Sequence, residues 1–137
     1  MTCFWNGLLD RITVKEINDA LKINLYDKPD PKSFVRLLIK FATYTTNVIC
    51  IDADNKTNEL SEKALSENLE WVTTYNVDKI YEGHDCSIGD PFLLLVSQLF
   101  NMDIYHTYNT KYFIKYINKN NKYGRILCLS SDKGHLW

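Results

Sequence analysis

The sequence predicts an α+β domain in which helices pack on one small, mainly antiparallel β-sheet. Two observations support this prediction. Up to residue 100, apolar residues recur mostly at helical spacing, and two of the predicted helices begin at an Asp-Pro pair. Beyond residue 102, short segments rich in Ile, Tyr and Phe are separated by turn residues, which is typical of strands. The 137 residues, 45% of them hydrophobic, are enough for one domain over residues 1–137 and too few for two ordinary ones.

Helix signals dominate the first half of the chain. Thr13 and Glu16 have the spacing of a capping box, and the Asp-Pro pair at residues 30–31 is a preferred helix start. A strand is expected over residues 48–51, followed by a solvated turn at residues 52–56. The apolar positions that predict the helices of this half are Leu8, Leu9 and Ile12; Val14, Ile17 and Leu21; Phe34, Leu37, Leu38 and Phe41; and Leu60, Ala64, Leu65, Leu69 and Val72.

The second half begins with a strongly apolar helix and continues in strands. The helix starts at the Asp-Pro pair of residues 90–91 and is expected to be largely buried, because almost every position after this pair is apolar. Strands are predicted over residues 103–108, 111–117 and 124–129. Residues 118–122, NKNNK, are typical turn residues, so the last two strands are predicted to form a hairpin.

Charge and hydropathy argue against several classes of function. The 16 basic and 17 acidic side chains leave a formal net charge of −1, which gives no long-range attraction for nucleic acid or an anionic membrane. The aromatic residues within 105–123, although interleaved with lysines, therefore indicate a half-exposed sheet rather than a stacking platform for single strands. No segment approaches the roughly 20 apolar residues that span a bilayer, and the start lacks a signal-peptide layout. We expect a cytoplasmic protein without nucleic-acid or membrane partners.

The four cysteines are spread along the chain without a C-x-x-C pair, which argues against a zinc knuckle or a redox dithiol. Cys50 and Cys128 lie inside short apolar runs and are predicted to be small buried hydrophobes. Cys86 belongs to residues 82–86, EGHDC, which contain metal-capable side chains and a rival nucleophile. Adjacent ligands in one short loop cannot complete a tetrahedral shell without distant partners, so no metal or cofactor is predicted.

The two ends of the chain carry the residue types of a thiol protease. Cys3 stands at the head of the first predicted helix, where unpaired N–H groups and the helix dipole favour the thiolate. His135 follows a glycine on a terminal strand and is able to take the thiol proton. The sequence therefore predicts Cys3 as nucleophile and His135 as general base, provided that the fold brings the ends together. His106, in an alternating strand, is predicted to be packed or surface-facing.

Motifs in the same order resemble those of the ovarian-tumour (OTU) family of cysteine proteases, which are mostly deubiquitinases. Residues 3–9, CFWNGLL, are similar to the C-L-F-x-A-hydrophobic segment that carries the family's nucleophile. Residues 89–95, GDPFLLL, and then 99–104, LFNMDI, resemble its W-G-x-x-x-E-hydrophobic-x-A-hydrophobic helix and ensuing I-x-V strand. Residues 134–137, GHLW, resemble its G-H-Y ending, whereas residues 24–82 match only in helical character.

The resemblance implies an OTU-like fold, within the papain-like superfamily, and deubiquitinase activity. Cys3 would attack the carbonyl after the terminal glycine of ubiquitin or a ubiquitin-like protein, and His135 would protonate the leaving amine. This chemistry implies no cofactor, and a monomer is expected. The abundance of Asn, Lys, Ile and Tyr fits an AT-rich genome, and such a minimal version of the domain is typical of viruses and intracellular bacteria.

Departures from the family pattern leave alternatives open. Family members usually carry an Asp-Gly segment shortly before the nucleophile, whose loop helps to shape the oxyanion hole, whereas Met1 and Thr2 precede Cys3 here. Relatives also place Asp or Asn two residues after the histidine, where this chain has Trp137. Asp132 or the terminal carboxylate of Trp137 would orient the imidazole, or a Cys–His dyad would suffice. The alternatives to an enzyme are an inactive OTU-like domain that binds ubiquitin or a host protein, and an unrelated small α+β protein.

Overall fold

The computed structural model describes residues 3–82, 90–132 and 135–136, with residues 3, 135 and 136 described by their backbone alone. The helices in these ranges are α1 (Cys3–Arg11), α2 (Val14–Leu21), α3 (Pro31–Phe41), α4 (Glu62–Thr73) and α5 (Pro91–Phe100), with a 3₁₀ helix at Val77–Glu82. The strands are β1 (Val48–Asp52), β2 (Thr57–Glu59), β3 (Asp103–Tyr108), β4 (Tyr112–Asn118), β5 (Ile126–Asp132) and β6 (His135–Leu136).

Helix starts follow the predicted capping chemistry. Thr13 Oγ1 accepts a hydrogen bond from the Glu16 backbone N–H at 3.1 Å, and Glu16 Oε1 accepts one from the Thr13 N–H at 3.0 Å. The Asp30 side chain caps α3, and Asp90 Oδ1 accepts from the Phe92 N–H at 2.9 Å at the start of α5. These caps confirm the predicted helix starts. Among the described helices, none combines the length and the apolar content needed to cross a bilayer.

The strands form one mixed sheet of six strands in the order β2-β1-β4-β3-β5-β6. Neighbouring strands run antiparallel except β3 and β5, which are parallel. The α+β class and the mainly antiparallel sheet are therefore confirmed. The predicted hairpin at residues 118–122 is wrong, because β3 lies between β4 and β5 and keeps them apart.

Polar side chains hold the loop from β4 to β5 across the end of β3. The Asn121 side chain accepts from the Arg125 N–H at 3.2 Å and donates to the Arg125 carbonyl at 3.0 Å. The Arg125 Nε donates to Glu16 Oε2 at 3.0 Å, and its Nη2 donates to the Arg11 carbonyl. The chain thus turns within residues 118–122, as their composition predicted. The position of β5 in the sheet, however, depends on contacts with distant residues.

One face of the sheet is buried under the helices. Helix α5 contacts β1, β3 and β4, and α1 contacts β6. The residues of this face that are buried are Val48, Cys50, Ile104, His106, Tyr116, Asn118, Leu127, Leu129 and Ser131. Burial of Cys50 is thus confirmed. The prediction for Cys128 is wrong: its side chain is exposed, because residues alternate between faces and the second face of β5 is not covered by the described helices.

Aromatic and basic side chains share the second face. Lys115 Nζ lies 4.8 Å from the ring centroid of Tyr105 and 5.5 Å from that of Phe113. The two rings meet edge to face at 6.4 Å. All three side chains are partly exposed, which confirms the predicted half-exposed sheet.

The apolar core contains a histidine and a serine in contact. His106 is 0% exposed, and its Nε2 lies 2.6 Å from the hydroxyl oxygen of Ser131, which is 1% exposed. Burial holds the pKa of His106 below its usual value, and the negative charge of Asp90 opposes this shift without overcoming it. Of the two alternatives predicted for His106, packed or surface-facing, the structure shows the packed one. The folded protein favours the neutral imidazole at this position.

We predict that stability falls in acid partly because of His106. In the unfolded chain a histidine has a pKa of about 6.5, whereas the folded pKa is lower. Below about pH 6.5 the unfolded state therefore binds a proton that the folded state excludes. The free energy of unfolding is consequently undiminished by His106 above that pH and falls as the pH drops below it. Urea unfolding between about pH 7.5 and 5 should show a steeper loss for wild type than for His106→Gln. If the stability of the two proteins fell equally with pH, the buried His106 would not be a cause of the loss.

The turn between β3 and β4 is strained at Thr110. Asn109 and Thr110 both adopt left-handed backbone angles, with φ of 52° and 57°, and the Lys111 N–H donates to the Tyr108 carbonyl at 3.1 Å. Positive φ at both central residues is a feature of type I′ turns, which favour Gly at the second central position. A β-branched residue is rarely found at positive φ.

We predict that Thr110→Gly stabilises the protein by about 1 kcal/mol, because glycine adopts this conformation without the steric penalty of a Cβ atom. Denaturant unfolding monitored by circular dichroism measures the change. Thr107→Gly, the matched substitution in the extended strand β3, should instead destabilise the protein. A loss of stability in the Thr110 variant would show that the turn is not strained.

Candidate functional site

The proposed nucleophile and base lie in elements that the fold brings together. Cys3 is the first residue of α1, and His135 is the first residue of β6. Cα atoms of these two elements lie within 8 Å of each other. The two residues lie at opposite ends of the sequence, and it is the fold that brings their elements close together.

Aromatic packing fixes the beginning of α1. Trp5 is fully buried, and its ring meets the Phe92 ring edge to face at 4.7 Å. Phe92 in turn contacts Tyr75 at 5.1 Å and Trp71 at 5.5 Å. Because Phe92 lies in the first turn of α5, α1 begins beside the N-terminal end of that helix. The backbone of Cys3 is thus anchored by a core residue two positions away.

Strand β6 is aligned by its pairing with β5. The register places Ser131 opposite Leu136 and Asp132 opposite His135. Asp132 Oδ1 is shielded from solvent and has no hydrogen-bond partner among the described residues. A buried carboxylate oxygen is unfavourable without a donor. By this register, Asp132 is the cross-strand partner of the proposed base. It is also one of the acids that could occupy the third catalytic position.

A second set of residues has the types of a serine-protease triad but not its accessibility. His106 contacts the Ser131 hydroxyl, and the charge of Asp90 acts on the His106 imidazole. His106 and Ser131 are enclosed in the core, so a substrate carbonyl cannot reach the hydroxyl. Sequence reasoning missed Ser131. Its period-two spacing after Leu127 and Leu129 was the signal that it faces the core.

Several predicted residues lie outside the described part of the chain. Cys86, the rival nucleophile, and His84 fall within residues 83–89, and the same holds for residues 1–2 and for Trp137. Their proposed roles stay predictions. Within the described residues, no three His, Cys, Asp or Glu side chains are grouped so that they could hold a metal ion.

An open cleft of about 1000 Å³ lies at the other end of α5. It is formed by α2, the end of α5 and residues 120–126, with Glu16 and Arg125 among its lining side chains. Neither cysteine nor histidine is among the described residues that line the cleft. At the junction of α1 and β6, by contrast, the elements that begin at the predicted nucleophile and the predicted base meet.

Comparison with known proteins gives no match to any protein-family model, any curated protein or any solved structure. The functional assignment of this chain therefore depends on its motifs and on the proximity of α1 to β6.

Proposed function

We propose that this protein is a thiol-dependent deubiquitinase of the OTU type. It cleaves isopeptide or peptide bonds after the C-terminal glycine of ubiquitin or a ubiquitin-like protein. The observation that supports this proposal most directly is the contact between α1, which begins at Cys3, and β6, which begins at His135. A cysteine at a helix N-terminus and a histidine on an adjacent strand are the groups that thiol acyl transfer requires.

The proposed reaction proceeds through a thioester. His135 takes the proton from the Cys3 thiol, and the N-terminal dipole of α1 stabilises the resulting thiolate. The sulfur attacks the carbonyl carbon, and the tetrahedral intermediate collapses as His135 gives its proton to the leaving lysine amine. His135 then deprotonates a water molecule, which hydrolyses the thioester and restores the thiol. Neither a metal nor a cofactor takes part.

Asp132 is the acid that we propose for orienting His135. Residues directly opposite each other in an antiparallel pair have Cβ atoms about 4.5–5.5 Å apart, close enough for their side chains to interact. Asp132 holds this position relative to His135, and its shielded Oδ1 lacks a donor among the described residues. A hydrogen bond from the imidazole would satisfy that oxygen and fix the tautomer that accepts the thiol proton. The carboxylate of Trp137 and a Cys–His dyad are the remaining alternatives.

We predict that Cys3→Ala abolishes covalent capture by a ubiquitin probe with a thiol-reactive C-terminus, because no thiolate then stands at the start of α1. Intact-mass spectrometry measures capture. Cys128→Ala, which removes an exposed thiol elsewhere, should be captured as rapidly as wild type. Cys86→Ala should also react. If Cys86→Ala alone loses capture, the nucleophile is misassigned, and non-covalent binding without capture would support the inactive binding module instead.

We predict that Asp132→Asn slows capture by about tenfold or more, the effect expected from losing one charge-assisted hydrogen bond. Asp52→Asn is the matched control, since its carboxylate accepts only backbone N–H groups in the β1–β2 turn among the described contacts. A short Gly-Ser tail appended after Trp137 tests the terminal carboxylate in the same assay. A full rate for Asp132→Asn with a slow tailed protein would assign the role to Trp137, and full rates for both would leave a dyad.

A further inference from the structure

Ser131 connects three parts of the molecule at the C-terminal end of β5. Its hydroxyl oxygen lies 2.6 Å from His106 Nε2 on β3. Its carbonyl accepts a hydrogen bond from the Asn109 N–H in the β3–β4 turn at 2.9 Å. Its backbone pairs with Leu136 of β6. The end of β5 is therefore held on one side by β3 and carries β6 on the other.

The side-chain contact within this junction is enclosed. His106 and Ser131 are both buried, and the tautomer of the imidazole decides which of the two atoms donates the hydrogen bond. A buried polar atom that loses its partner is strongly disfavoured, so the two strands are kept at the spacing that this short contact requires. An apolar pair at the same positions would fill the space, but it would not hold β3 and β5 in one relative alignment as a hydrogen bond does.

The position of His135 depends on this junction. Within the described sheet, β6 is an edge strand whose neighbour is β5. The residue that follows Ser131 is Asp132, which is the Cα partner of His135. A displacement of the β5 end would therefore displace β6 relative to α1.

We propose that His106 is a positioning residue for the catalytic pair, because its hydrogen bond to Ser131 fixes the end of β5 and thereby the place of His135 beside Cys3. This inference rests on the proposed function only in that Cys3 and His135 form the reacting pair. Displacements of about 1 Å at a catalytic group are enough to lower rates about 100-fold. A contact outside the reacting pair is thus able to control the reaction.

The test compares Ser131→Ala with Ser97→Ala. Ser97 is also a buried serine, and its hydroxyl donates to the Met102 carbonyl at 2.9 Å on the part of α5 remote from β6. Both substitutions remove a buried hydroxyl together with the hydrogen bond described for it, so both should lower the melting temperature. Two further quantities are measured: the rate of capture by the ubiquitin probe, and the pH midpoint of Cys3 alkylation by iodoacetamide, followed on the Cys3 peptide by mass spectrometry.

We expect that Ser131→Ala alone slows capture by about tenfold or more. We also expect that it raises the alkylation midpoint of Cys3 toward the unperturbed value of about 8.5, as His135→Ala should do. Ser131→Thr, which keeps the hydroxyl, should retain wild-type values. If Ser131→Ala does not fold, the same comparison uses His106→Leu, with His106→Gln as the conservative variant that keeps a nitrogen within reach of the hydroxyl.

The outcomes separate this inference from the proposed function. Equal capture rates and midpoints in Ser131→Ala and Ser97→Ala overturn the positioning role and leave the deubiquitinase proposal intact. In another outcome, wild-type protein is not captured, but its Cys3 alkylation midpoint is low and rises in both His135→Ala and Ser131→Ala. This result overturns the deubiquitinase proposal and supports the positioning role. A wild-type midpoint near 8.5 that neither substitution changes overturns both.

Discussion

The burial of helix α5 is the constraint on which the rest of the fold depends. Nearly every residue from Phe92 to Phe100 is buried, so the helix has no polar face that could meet water. The sheet covers it through β1, β3 and β4, and helices α2, α3 and α4 cover it elsewhere. Trp5 of α1 also packs against its N-terminal end. The position of the proposed nucleophile thus follows from the need to enclose one apolar helix.

The polar groups buried in the core differ between the two ends of α5. At the C-terminal end the Asn118 amide donates to the Ser97 carbonyl at 2.7 Å, and neither side chain changes its charge with pH. At the N-terminal end lie Asp90 and His106, both titratable, together with Ser131. Ionisable groups are costly to bury and are often concentrated near functional sites. Their location beside α1 and β6 agrees with a functional role for that end of the molecule.

Local signals in the sequence predicted the elements well, because caps and apolar spacing act over a few residues. Thr13, Asp30 and Asp90 all cap helices as expected, and the α+β class follows from the segments that they delimit. Strand partners are different, since they depend on contacts between distant residues. The residues between β4 and β5 read as a hairpin turn, yet Arg125 reaches back to Glu16 and β3 separates the two strands. For the same reason the sequence named Cys3 and His135 without showing that α1 and β6 meet.

The contact between α1 and β6 has a consequence for folding kinetics. It joins the first described helix to the last described strand, and so closes a loop that contains almost the whole described chain. Contacts of such long sequence separation carry a large closure entropy and form after hairpins such as β3–β4, which need only a short turn. A partly folded molecule would hold most of its sheet while the thiol and imidazole were still apart. Under the proposed mechanism such an intermediate would lack the thiolate, and the reactive sulfur would arise only when α1 and β6 meet.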